Sequence, residues 1–181
     1  MLTDSEIFLI VIGAFILFAI ICLLLTIKRI KPGEVGIRTG FGGVKIEKNW
    51  MLCLPELHQM QTMDLSAKQL KIELTGNDGV QCADGARADL CAIFNIQIDS
   101  EDIEAIKEVA SNIGCEKAND PNTFKELFQS KFTAAIHSAT ARFTKPEIIK
   151  DRMTFREEII QHIGNDLNGY MIADLSVEKL S

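Results

Sequence analysis

Three histidines, five cysteines and one Ser-Lys spacing are where a search for chemistry starts in this 181-residue chain. Ser66 and Lys68 lie two residues apart, which on a strand sets them side by side with no third group to orient them, so the pair identifies no nucleophilic mechanism. His137 falls on the polar side of a helical pattern, opposite a phenylalanine stripe, and His162 on a helix flank; both read as solvated. His58 lies in an apolar, strand-like run, where a half-buried imidazole with its hydrogen bonds met is the default. Cys22, Cys53, Cys82, Cys91 and Cys115 are odd in number and contain no C-x-x-C pair, which fits free thiols in a reducing compartment better than a disulfide framework. Nucleotide loops (G-x-x-x-x-G-K-S/T, G-x-G-x-x-G), the G-x-S-x-G elbow and the H-E-x-x-H zinc motif are absent from the sequence. No catalytic residue, cofactor or metal is assigned, and the chain reads as something other than an enzyme.

The strongest signal is physical rather than chemical. Residues 7–27, IFLIVIGAFILFAIICLLLTI, carry no charge over 21 positions. As a helix they reach roughly 31 Å, enough to cross a hydrocarbon core of about 30 Å. A cleaved signal peptide would want a basic start, a shorter apolar core and a small-residue cleavage site; here Asp4 and Glu6 precede the run and Lys28, Arg29 and Lys31 close it. Basic residues beside a span tend to stay on the cytoplasmic side, so the expected topology is N-terminus outside and residues 28–181 in the cytoplasm.

Net charge is −6, unevenly spread: residues 28–71 carry 8 basic and 4 acidic side chains, residues 72–181 carry 11 and 19. The basic part adjoins the membrane, where anionic headgroups attract each Lys or Arg by about 1 kcal/mol; ordinary solvated surface charge is the equal alternative. The acidic remainder argues against nucleic acid as a partner. Within the basic part, Trp50, Met51 and Leu52 open an apolar run that ends at Leu54, and tryptophan prefers the membrane interface. Lys28, Arg29, Lys31, Trp50, Met51 and Leu52 are therefore the candidate membrane contacts; a strand buried on both faces is the competing reading of the tryptophan run.

Pro32-Gly33 is expected to end the first helix. From 34 to 98 the period is 2: residues 34–38 alternate, Gly40-Phe41-Gly42-Gly43 reads as a tight turn, and 44–46 return. Leu70, Ile72 and Leu74 face a core, and one long strand over 86–98 places Ala88, Leu90, Ala92, Phe94, Ile96 and Ile98 on one face. The period then becomes 3.6. Ser100 caps a helix with Ile103, Ile106, Ala110 and Ile113 inward, ended by Gly114; Asp120-Pro121 starts a longer one with Phe124, Leu127, Phe128 and Phe132 inward. Thr144 and Glu147 form a capping box, and a last helix from about Asp151 turns Phe155, Ile159, Ile160, Ile163 and Leu167 inward before Gly169. Met171, Ala173, Leu175 and Val177 alternate on a closing strand. The fold class is α+β, an antiparallel sheet with packed helices behind a single membrane helix.

This order of pieces resembles a known family. The span, then Glu34-Val35-Gly36-Ile37-Arg38-Thr39-Gly40-Phe41-Gly42-Gly43-Val44-Lys45, the Leu54-Pro55 pair, Met63-Asp64-Leu65 and the later run 83–89 closely resemble the flotillin branch of the SPFH (band 7) superfamily, particularly bacterial inner-membrane flotillins. The resemblance implies an anchor over residues 1–30 and an SPFH domain over 31–181. It further implies a membrane scaffold that assembles into a large ring-like or cage-like homo-oligomer, organises a lipid microdomain in the bacterial inner membrane, and pairs with a small NfeD-type membrane protein. The Ala- and Glu-rich helices that form the cage wall in such proteins are not in this sequence. An anchored enzyme or a sensor domain with an unrecognised site is the alternative function.

Overall fold

The structure, a computed structural model, describes residues 4–54 and 57–180, with side chains for 8–10, 12–21, 26–54 and 57–178. The chain divides into two compact units, Met1–Met63 and Asp64–Ser181. Pro55, of the Leu54-Pro55 pair, lies outside the described residues.

The first unit contains α1 (Asp4–Thr26), β1 (Ile27–Arg29), β2 (Glu34–Gly40), β3 (Lys45–Glu47), β4 (Trp50–Leu52) and most of β5 (His58–Asp64). Helix α1 runs for 23 residues. Among the described residues no helix is long and apolar enough to cross a membrane; within α1 the longest run with described side chains is 12–21, about half of what a span needs. The helix does not continue to Pro32-Gly33 as the sequence suggests. It ends at Thr26, because residues 27–29 take their backbone hydrogen bonds from β4 instead. Strand β2 is the centre of a second sheet, ordered β3-β2-β5. The core of this unit is small: Ile30, Val35, Ile37, Met51, Cys53 and Met63.

The second unit contains β6 (Lys68–Leu74), β7 (Val80–Gln81), β8 (Arg87–Ala88), β9 (Leu90–Ile98), α2 (Ile103–Asn112), α3 (Cys115–Asn119), α4 (Pro121–Thr140), α5 (Lys145–Lys150), α6 (Arg152–Ile163) and β10 (Tyr170–Leu180). Its sheet is antiparallel, ordered β10-β9-β6, and the α+β architecture read from the periods is the one observed. Leu70, Ile72 and Leu74 are buried, as alternation requires. The expected single strand over 86–98 is broken at Asp89, whose carboxylate accepts from the Gly76 N–H (2.9 Å); β8 pairs β7 in its own hairpin, and β9 alone enters the sheet. Phe94 on β9 packs against Phe132 of α4 with the rings tilted and their centroids 4.6 Å apart, and Phe124, Phe128 and Tyr170 complete an aromatic core.

Helix starts are where local chemistry decided most. Asp120 caps α4 by accepting from Asn122 N–H, Asp151 caps α6 by accepting from Thr154 N–H, and the Thr144–Glu147 capping box is formed. For α2 the cap is Asp102 rather than Ser100, its carboxylate accepting from Glu104 and Ala105; that shift turns Ile103 outward and leaves Ile106 and Val109 buried. Leu127 and Ile160 are also exposed, and α6 ends at Gly164 rather than Gly169. On β10 a register shift between Ile172 and Asp174 inverts the phase, so Tyr170 is buried while Met171 and Ala173 are exposed.

Candidate functional site

Strand β1 follows α1 directly, and its pairing with β4 brings five of the six expected membrane contacts into one ribbon. The register sets Ile27 opposite Leu52, Lys28 opposite Met51 and Arg29 opposite Trp50. Opposite residues in an antiparallel pair share a face and neighbours alternate. Ile27, Arg29, Trp50 and Leu52 therefore form one face and Met51 points to the other. Trp50 is 61% exposed and Met51 3%. Met51 is thus a core side chain holding the ribbon down and is withdrawn from the candidate contacts. Lys28, Arg29 and Lys31 are exposed.

Two backbone bonds close the ribbon, the first at the end of the helix and the second at the opposite end. Cys53 N–H donates to the Thr26 carbonyl (2.8 Å) and Ile30 N–H to the Asn49 carbonyl (3.0 Å). Arg29 and Trp50 consequently sit three strand residues past the helix end, about 10 Å along the chain at roughly 3.3 Å per residue.

A second set of apolar side chains, which periodicity did not flag, is exposed in the same unit: Phe41 and Val44 on the β2–β3 turn, Leu54 and Leu57 on the segment after β4. Their loops are tied together. Phe41 N–H donates to the Leu57 carbonyl (3.3 Å), and the His58 ring bridges the two loops: Leu54 N–H donates to Nδ1 (3.2 Å), so Nε2 carries the proton and donates to the Phe41 carbonyl (3.0 Å). The half-buried histidine expected from the sequence is a clasp.

The Arg-Thr-Gly-Phe-Gly-Gly run has a matching structural account. Arg38 is buried and donates from Nη1 to the Leu52 carbonyl (2.9 Å), bracing β4 from β2. Gly40 has φ +129° and a Cβ there would stand 2.3 Å from the Leu57 carbonyl oxygen, so only glycine fits. Phe41 is then thrust out at 80% exposure. The signal that could have found this edge was the motif itself: a turn with Phe41 between glycines and Val44 just after them places two large apolar residues where they cannot be buried.

The remaining sequence candidates are not assembled. Ser66 donates to Asp64 (2.8 Å) while Lys68 Nζ reaches the Ala118 carbonyl, so they serve different partners. Burial pushes Lys68 down, offset by Asp64 and Asp120; Asp64 is pushed up by partial burial, but the Ser66 N–H and hydroxyl with Lys68 outweigh this and hold it below the usual carboxylate range. Cys53, Cys82, Cys91 and Cys115 are buried thiols outside any disulfide, and burial pushes Cys82 and Cys115 up, away from nucleophilic character. His137 is exposed, as expected; His162 is half-buried rather than solvated, its ring 3.2 Å from Glu158 one turn back on its own helix. Among the described residues no group of His, Cys, Asp and Glu could hold a metal ion.

Residues 28–181 match the SPFH domain / band 7 family, which is everything after α1 and the first residue of β1. The chain belongs to that family. The SPFH domain is associated with membrane scaffolding proteins, a generally non-enzymatic group. No curated protein matches the chain. The SPFH match thus covers both the ribbon that carries Trp50 and the aromatic-cored second unit.

Proposed function

We propose that this SPFH protein is a membrane-anchored scaffold of the flotillin type. Helix α1 crosses the bacterial inner membrane once, with the N-terminus outside, and the SPFH domain lies in the cytoplasm against the inner leaflet. The observation that carries this reading is the ribbon hydrogen-bonded to the end of α1, which presents Arg29 and Trp50 on one face, in a unit that also exposes Phe41, Val44, Leu54 and Leu57. Support for the crossing comes from the 21 uncharged residues of 7–27 and from a helix of 23 residues, about 35 Å. If α1 spans the bilayer, residues some 10 Å beyond its end lie at headgroup depth, where tryptophan and arginine are favoured. An exposed apolar cluster in water would be a liability; at a membrane surface it is buried by lipid.

Anchoring all copies in one bilayer orients them and raises their effective concentration, so weak lateral contacts suffice for self-association. A ring follows if the rotation per subunit closes, and such a ring organises the lipid and membrane proteins it surrounds, an NfeD-type protein among them. Mass measurement and imaging of the protein in gentle detergent test the scaffold. Large closed particles are expected; a monomer at every concentration overturns it. Labelling of an engineered cysteine at Gly76 by an impermeant reagent on intact cells would overturn the topology.

A further inference from the structure

The sheet of the second unit has two edges, and they are built differently. Strand β10 carries two register shifts, between Ile172 and Asp174 and between Val177 and Lys179, and such bulges twist an edge away from further pairing. Strand β6 has none: its register with β9 is continuous from Lys68 to Leu74, and among the described residues no strand pairs its other side. Helix α4 does not close that side. An open groove of about 750 Å³ runs along it, with Lys71 and Glu73 on the strand and Lys125, Gln129, Thr133 and His137, each four residues from the last, on the helix.

The sequence of β6 selects what fits there. An antiparallel partner placed by a two-fold axis perpendicular to the sheet keeps exposed side chains on the exposed face only when residues of equal parity are opposed. Centred on Lys71 or on Glu73, a second copy of β6 would oppose like charges. Centred on Leu70 it would oppose Gln69 to Lys71. Centred on Ile72, Lys71 meets the second copy's Glu73, and Glu73 its Lys71. On the buried face Leu70 then meets Leu74. Leu70-Lys71-Ile72-Glu73-Leu74 is thus self-complementary in both hydropathy and charge. Lys71 and Glu73 are about half exposed and already form an ion pair along the strand (2.6 Å), so opposite charges alternate on this face of β6.

We propose that β6 is a dimerisation edge: two copies of the chain join β6 to β6 antiparallel about Ile72, making one six-stranded sheet with the two Lys71–Glu73 pairs exchanged across the axis. This deepens the self-association reading and rests on it. A two-fold contact pairs protomers and does not by itself close a ring, so it is additional to the lateral contact of the scaffold. Apart from Ile72 and Leu74 the groove is lined with polar side chains and Gly79, which makes the contact largely wet and dependent on backbone pairing and charge more than on apolar area.

The test uses the full chain in mild detergent. Lys71→Cys and Glu73→Cys variants, mixed and mildly oxidised, are expected to form a disulfide-linked dimer, because opposite residues bring their Cβ atoms to about 4.5–5.5 Å. Each variant oxidised alone should not, since a residue and its own copy are then diagonal, about 7–8 Å apart. Glu73→Lys is expected to weaken dimerisation about tenfold by opposing two pairs of like charges, and Lys71→Glu combined with Glu73→Lys to restore it. Circular dichroism of the exposed-site variants should match the parent. Large assemblies without the mixed cross-link, or with affinity unmoved by Glu73→Lys, overturn the edge pairing and leave the scaffold standing; a monomer throughout overturns both.

Discussion

In the second unit the phenylalanines point inward, with Phe94, Phe128, Phe132 and Phe155 at 2% exposure or less, whereas Phe41 in the first unit is 80% exposed and has Val44, Leu54, Leu57 and Trp50 exposed in the same unit. The same residue type serves opposite ends. In one unit it is the folding core; in the other it is held out on a turn by Gly40 and a histidine clasp, so the fold spends hydrogen bonds on keeping apolar groups in solvent. Apolar side chains held out in this way mark a surface that another molecule covers, and the lipid surface next to α1 is the cover we propose.

The comparison breaks most sharply by truncating the same residue in each unit. Phe132→Ala should destabilise the second unit by about 3–5 kcal/mol, because a fully buried ring touching Phe94 and Phe128 leaves a cavity. Denaturant unfolding followed by circular dichroism checks this, and a loss under about 1 kcal/mol would mean that the aromatic cluster is not the core.

Gly40→Ala comes next, at about 2–3 kcal/mol of local strain. Its effect should be confined to the first unit, since the clash is with the Leu57 carbonyl. Limited proteolysis should cut near residues 41–44 in the variant first; unchanged cleavage would show that the turn is not set by that glycine.

Alkali separates the units by titration. Burial, and to a lesser degree the Asp64 carboxylate, pushes Tyr170 up to about 12, while the unfolded chain titrates near 10.0. A raised pKa means that the neutral phenol's contribution is whole below pH 10 and is lost as pH rises toward 12. The chain has one tyrosine, so tyrosinate absorbance reports this group alone. Ionisation near 10 with the second unit still folded would contradict the buried placement.

The smallest effect on stability should come from the exposed edge. Phe41→Ser is expected to change unfolding free energy by no more than about 0.5 kcal/mol. In vesicles it should nonetheless reduce quenching of the single tryptophan, Trp50, by brominated lipids, if both side chains meet the lipid as proposed. No quenching in the parent protein would remove the membrane from this comparison altogether.

Much of the architecture was legible because it is local. The capping chemistry of Asp120, Asp151 and Thr144–Glu147 acts within four residues, and the alternation of Leu70, Ile72 and Leu74 needs only a period of two. The same local reading erred where distance intervened. It carried the first helix to Pro32-Gly33 because nothing within a few residues of Thr26 announces β4, whose partners lie 21 to 25 positions away. It ran one strand through Asp89, whose bond to Gly76 is a tertiary contact, and it missed the bulge that inverts the start of β10.

The candidate edge divides the same way. Sequence alone determined that a long uncharged segment is followed by basic residues and a tryptophan run, because charge and hydropathy are properties of residue types. Only the tertiary structure decided that Met51 turns in and Trp50 out, and that Phe41 and Leu57 lie on loops tied together, because the facing of a short ribbon depends on which strand pairs with it, and in what register. That register is set by hydrogen bonds from Cys53 to Thr26 and from Arg38 to Leu52, between residues that no periodic pattern connects.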